Sequence, residues 1–182
     1  LMAWVEVLKM NDIDKNLLAD MEKDVTRLSV IAERFSKIGS SPELVATDIT
    51  QVVQSSAEYM QRRVSNKVKF EIIIPDTPIT IKLCLPLMEW VFENICKNAI
   101  DAMSGSGQLR VEVIQDVDIC YIDITDSGKG IARKNFSTVF RPGYTTKERG
   151  WGLGLALVKR IVEEYHGGKV YVKESELGKG TT

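Results

Sequence analysis

"GWGLGLALVKRIVEEYHGG", residues 150–168, sets three glycines in its first five positions and then runs into helical spacing that ends at the only histidine of the chain, His166. Bare backbone at the mouth of a helix exposes the first-turn amides, and with the positive end of the helix dipole these form an anion site. The spacing is not the dinucleotide fingerprint G-x-G-x-x-G, because position 155 is leucine. No G-x-x-x-x-G-K-[ST] occurs either, so neither a Rossmann site nor a P-loop is indicated and another nucleotide fold is required. His166 precedes Gly167 and Gly168, where a cation suits the helix dipole and glycine ends the helix, which gives it a structural reading.

Immediately upstream, "FRPGYTTKERG" at 140–150 offers hydroxyls at Thr145 and Thr146 and cations at Lys147 and Arg149, groups suited to phosphate. Further back, "DITDSGKGI" at 123–131 is a strand that delivers Asp126 to a turn containing Gly128 and Gly130. An ionised carboxylate only accepts hydrogen bonds, so it suits the amino group of adenine and opposes the carbonyl of guanine. Earlier still, "ENICKNAIDAM" at 93–103 puts Asn94, Asn98 and Asp101 at i, i+4 and i+7 on one helix face. Asparagine within a helix usually faces solvent, but its amide oxygen also suits magnesium beside substrate phosphates.

Composition narrows the class. Of 182 residues, 44% are hydrophobic and 27% charged, ordinary globular usage, with no run approaching the roughly 20 apolar residues of a membrane span. The 24 basic and 25 acidic side chains nearly cancel, which argues against nucleic acid as a partner. Cys84, Cys96 and Cys120 stand singly in apolar stretches, without C-x-x-C spacing, as expected in a reducing cytoplasm. The sequence opens within a helical pattern and ends at "GKGTT", and so reads as a piece of a longer chain, any membrane anchor of the parent being expected outside these residues.

From residue 14 to 38, Leu18, Met21, Val25, Leu28, Ala32 and Phe35 alternate steps of three and four, the seam of a bundle helix. With residues 1–8 it forms a helical hairpin over 1–40, whose apolar stripes imply a second chain. "GSSP" at 39–42 marks the domain boundary. Beyond it the pattern predicts a short strand at 44–48, a helix at 49–64, strands at 68–74 and 79–84, and a long helix at 86–103. A hairpin of 109–116 with 119–126, a helix at 153–165 and a strand at 169–175 follow. Grouped strands with amphipathic helices between them predict an α+β sandwich, helices covering one face of a mixed sheet.

In their order, "NICKNAIDAM", "DSGKGI", "FRPGYTTK" and "GWGLGLALVKRIVEEYHGG", closed by "GKGTT", resemble the N, G1, F and G2 nucleotide-binding boxes of sensor histidine kinases of two-component systems. The resemblance covers residues 41–182 and implies the Bergerat (GHKL) ATP-binding sandwich shared with gyrase, the MutL repair proteins and the heat-shock chaperone ATPases. It implies that Asn98 is a magnesium ligand with Asn94 its polar neighbour and Asp101 nearby, and that Asp126 meets the adenine amino group. Gly128 and Gly130 would shape the adenine pocket. Thr146, Lys147, Gly150, Gly152, Leu153 and Gly154 would cover the phosphates as a lid, and Thr181 would reach adenine through water. Asn94, Asn98 and Lys147 are the catalytic set so implied.

The resemblance further implies transfer of the γ-phosphoryl group of ATP to a histidine outside this chain, for relay to the aspartate of a response-regulator receiver domain. It implies a homodimer through the hairpin, which resembles the dimerisation domain that carries the phosphoacceptor. Hydrolytic members of the superfamily hold a glutamate where this chain has Asn94; Glu93 lies about 100° around the helix from it. Arg141 before Pro142 departs from the usual acidic residue of the F box. A non-catalytic nucleotide-responsive module and, with less support, a GHKL-type ATPase are the alternative readings.

Overall fold

The computed structural model describes residues 21, 25, 42–147 and 151–182. The chain divides into two units, Leu1–Pro42 and Glu43–Thr182. The hairpin expected over 1–40 lies outside the described residues, apart from Met21 and Val25, which are helical.

In the second unit, alternation decides the sheet. Leu109, Val111 and Val113 of β4 (Gly107–Asp116) are buried while the residues between them are not, so one face of the strand turns to the core. β4 pairs antiparallel with β5 (Ile119–Asp126), the predicted hairpin, and parallel with β2 (Val68–Ile73). A parallel pair needs a crossover, and here it contains α2 (Leu85–Ala102). The five-stranded sheet runs β2-β4-β5-β7-β6, with β6 at Ser175–Glu176 and β7 at Gly180–Thr181. A separate antiparallel pair joins β1 (Val45–Asp48) to β3 (Thr80–Leu83).

Helices α1 (Ile49–Gln61) and α2 close the apolar face. Met60 of α1, Cys96 and Ala99 of α2 with Met103 at its C-terminal cap, Val68 of β2 and Leu109 of β4 form one cluster, joined by Ile124 of β5. α1 begins at Asp48, whose Oδ1 accepts the Thr50 amide at 3.0 Å, the Thr50 hydroxyl at 2.7 Å and the Ile79 amide at 3.2 Å, so the helix cap also ties down the approach to β3. α2 has Pro86 in its first turn, where the missing N–H costs nothing. With Leu87, Met88, Val91, Phe92, Cys96 and Ala99 buried, its other face is left to Asn94, Asn98 and Asp101. The mixed sheet with helices on one face is the expected α+β architecture. Among the described residues, no helix is long and apolar enough to cross a membrane.

Two elements differ from expectation. The helix foreseen over 153–165 is α3 (Gly154–Arg160) followed by a π turn (Ile161–Tyr165), because the His166 ring and the Gly168 amide take the carbonyls of Ile161 and Val162. The strand foreseen over 169–175 is regular only at Ser175–Glu176. Lys173 and Glu174 still exchange backbone hydrogen bonds with Thr182, the Lys173 amide donating to the Thr182 carbonyl and the Thr182 amide to the Glu174 carbonyl, both at 2.9 Å, while Lys173 Nζ reaches Asp123 Oδ2 at 2.5 Å.

Candidate functional site

Asp126 ends β5 opposite Thr181 of β7, so the sheet itself delivers both side chains to one place. A cavity of about 240 Å³ is lined there by Ile95, Asn98, Ala99, Asp126, Leu155 and Thr181, and continues past Thr181 between β5 and residues 169–173. Asp126 is 9% exposed, and its Oδ1 accepts the Gly128 amide at 2.7 Å. Burial pushes its carboxyl above the ordinary value, and the Gly128 hydrogen bond opposes the rise. A Cβ on Gly128 would stand 2.6 Å from the Ala102 carbonyl carbon, so the turn rests directly on the end of α2. Gly130, at φ 72°, packs against the backbone of Glu176 and makes the bend that returns the chain to Ile131.

α2 brings its polar face to the same cavity. Asn98 lines it, whereas Asn94 donates to the Trp90 carbonyl at 2.8 Å and lies under Gly154, where an added Cβ would meet Asn94 Oδ1 at 2.9 Å. Lys147 Nζ stands 2.9 Å from Asn98 Oδ1 and 2.6 Å from Asp101 Oδ2. Both partners of that ion pair are about two-fifths exposed, which limits its value to roughly 0–1 kcal/mol and makes it readily displaced. Thr146 accepts from Lys129 Nζ at 3.2 Å. Lys129 was not among the residues the sequence singled out, and its partner is 17 positions away.

The loop carrying Thr146 and Lys147 is pinched at its base, where the Gly143 amide donates to the Gly152 carbonyl at 3.0 Å. Gly152 has φ 64°, and a Cβ there would press on the Gly143 and Tyr144 backbone. Leu153, two-fifths exposed, and Gly154 begin α3 directly after the pinch, Leu153 accepting the Leu157 amide. Gly150 and Arg149 lie outside the described residues.

Asn98 and Asp101 already gather two hard oxygens about a positive charge, the Lys147 ammonium, which is the donor chemistry a magnesium ion takes. Among the described residues no three acidic, histidine or cysteine side chains cluster as a metal cage. A cation held here would therefore draw its other ligands from phosphate and water.

Ser175, which sequence reasoning passed over, connects Ile131, Gly180 and Thr181 behind the cavity. Its signal was absent because its partners meet only in the fold. His166 is clear of the cavity, and its role rests on hydrogen bonds rather than on the charge expected at a helix end. Its Nε2 accepts the Cys84 amide at 3.0 Å and its Nδ1 faces the Ile161 carbonyl at 2.8 Å. A carbonyl only accepts, so Nδ1 carries the proton and the ring is neutral.

The family of histidine kinase-, DNA gyrase B- and HSP90-like ATPases matches residues 86–182. The chain belongs to that ATPase family. Sensor histidine kinase ZraS of Escherichia coli (strain K12) is 32% identical over 165 residues, covering 89% of this chain and 35% of that protein. The mycobacterial sensor histidine kinase MprB has the same fold, with a TM-score of 0.66 and 29% identity over 76% of this chain and 92% of that one. Histidine kinase ThkA, in a complex with response regulator protein TrrA, aligns at a TM-score of 0.68 with 17% identity, covering 99% and 55% respectively. The chain thus spans about a third of the length of the curated relative ZraS. Residues 86–182 hold α2, the Asp126 turn, the loop carrying Thr146 and Lys147, and Thr181, so the family match falls on the cavity, and this part of the chain is an ATP-binding domain homologous to those of sensor histidine kinases.

Proposed function

We propose that the chain supplies the ATP-binding catalytic part of a two-component sensor histidine kinase, transferring the γ-phosphoryl group of ATP to a histidine on another segment, for passage to a response-regulator aspartate. The observation that carries this reading is the meeting of Asp126, Thr181 and Asn98 in one cavity, with the Lys147 cation bonded to Asn98. Asp126 accepts from the adenine amino group, Thr181 stands beside it, and Gly128 and Gly130 hold the turn against the base. Asn98, with Asp101 nearby, would hold magnesium, which when bound neutralises phosphate charge and orients the terminal group. Lys147, with Thr146 and the backbone at Gly152, Leu153 and Gly154, then faces the phosphates instead of Asp101. Positioning and charge stabilisation supply most of the catalysis in phosphoryl transfer.

Asn94 supports transfer over hydrolysis. An amide tied to the Trp90 carbonyl is no base for water, and it sits under Gly154. The ThkA complex with its response regulator supports a receiver domain as the downstream partner, and the seam of residues 14–38 supports pairing of two chains through the hairpin. The test is incubation with magnesium and γ-labelled ATP beside a histidine-bearing acceptor domain of a sensor kinase. Acid-labile label on the acceptor is expected; release of inorganic phosphate without it would favour an ATPase.

A further inference from the structure

Ser175 Oγ lies 2.7 Å from the Ile131 amide, 2.8 Å from the Gly180 carbonyl and 2.8 Å from Thr181 Oγ1. The amide only donates and the carbonyl only accepts. The one Ser175 hydrogen therefore goes to Gly180, and the hydrogen between the two hydroxyls comes from Thr181. Ser175 is then saturated, donating once and accepting twice.

We propose that Ser175 is a specificity-determining positioning residue for the base. By taking the Thr181 hydrogen it leaves only lone pairs on that hydroxyl for the cavity. Directly across the β5–β7 pair stands Asp126, whose ionised carboxylate also only accepts. Two acceptors side by side form an edge that receives hydrogens, directly or through one water. Such an edge suits an exocyclic amino group and meets a carbonyl at the same position lone pair to lone pair. Ser175 does this from outside the ligand, and the same hydroxyl holds the Ile131 amide, which fixes the far end of the turn bearing Gly128 and Gly130. A serine that merely braced the turn would affect every nucleotide alike. A serine that sets the polarity of Thr181 affects the choice between them.

The inference rests on the nucleotide reading of this cavity, and one pair of ligands separates the two. ATP and inosine triphosphate differ at the 6-position of the base, amino in one and carbonyl in the other. Titration calorimetry of the 182-residue chain with each nucleotide and magnesium should show a preference for ATP. Ser175→Ala should reduce the ATP-to-ITP affinity ratio by about three- to tenfold, the factor carried by one neutral hydrogen bond, and Ser175→Thr, which keeps the hydroxyl, should restore it. Thr181→Val should lower the ratio as well, and adding Ser175→Ala to it should change the ratio no further. Should the alanine variant not fold, Ser175→Cys keeps the volume and weakens the acceptor, and the same fall in ratio is expected. An unchanged ratio in the alanine variant, or in the cysteine variant in its place, overturns the role of Ser175 while leaving the site intact. A wild-type chain that binds neither nucleotide, or both equally, overturns the placing of the base against Asp126 itself.

Discussion

Asp126 is where stability and binding pull apart. Its carboxyl is buried, and burial raises its pKa from the ordinary 3.8 against the pull of the Gly128 amide. Because the folded value is the higher one, the folded chain holds its proton more tightly than the unfolded chain, so charge on Asp126 costs stability above the folded pKa and that cost disappears as pH falls toward 3.8. Asp126→Asn should therefore melt no lower than wild type at neutral pH, and its advantage should shrink on acidification; a variant whose advantage grows with acid contradicts the burial argument. The same change should weaken ATP by roughly 1.5–3 kcal/mol, the range for a hydrogen bond to a charged group, measured by calorimetry. Asp126 was legible in the sequence, since a strand running into D-S-G announces a carboxylate at a turn. Ser175 was not: its three partners lie 44, 5 and 6 residues away and converge only when β6, β7 and the Asp126 turn are packed together.

Among the elements, α2 was legible from its polar face, because Asn94, Asn98 and Asp101 recur at i, i+4 and i+7 and the buried Leu87, Val91, Cys96 and Ala99 take the other side. The hairpin β4–β5 was legible from alternation for the same reason. Residues 169–174 were not, because alternation records which residues could pair while the ladder depends on a neighbour, here Thr182 facing Lys173 and Glu174. The π turn escaped for a similar cause: it answers to the His166 ring, whose partner Cys84 is 82 residues away. That ring ties the end of the π turn to the start of α2 while touching nothing in the cavity. His166→Ala should strand the Cys84 amide and Ile161 carbonyl and destabilise the chain by about 1–3 kcal/mol, with ATP affinity unchanged; denaturant melts alongside calorimetry measure both. A fall in ATP affinity at full stability would instead place His166 in the site. At the lid, Lys147→Met removes the ties to Asn98 and Asp101, so amide exchange over residues 144–147 should quicken in the free chain. Wild-type exchange there should slow when an ATP analogue and magnesium bind, and equal protection in both states would deny a moving lid.

For the whole molecule, the distribution of histidine decides what this chain does by itself. Phosphoryl transfer to histidine needs a ring nitrogen in line with the terminal phosphate, and such proximity is worth about 7–11 kcal/mol of barrier. The chain has one histidine, and both its nitrogens are engaged, one by the Cys84 amide and one with the Ile161 carbonyl. It is also distant: twelve residues separate it from Gly154, about 18 Å along a helix at 1.5 Å per residue. Freeing the ring would break two hydrogen bonds and still leave it at the wrong end of α3 and its π turn. Hence the 182 residues should bind ATP without labelling themselves, while a histidine presented on a second polypeptide acquires the label. On the proposed role of Asn98 as the magnesium ligand, Asn98→Leu should abolish that transfer by removing the ligand oxygen, and Asn98→Asp should retain binding of the nucleotide. Incubation with γ-labelled ATP, followed by acid treatment, reads each case. If the chain labels itself and His166→Ala removes the label, the division of labour between this domain and its acceptor is wrong.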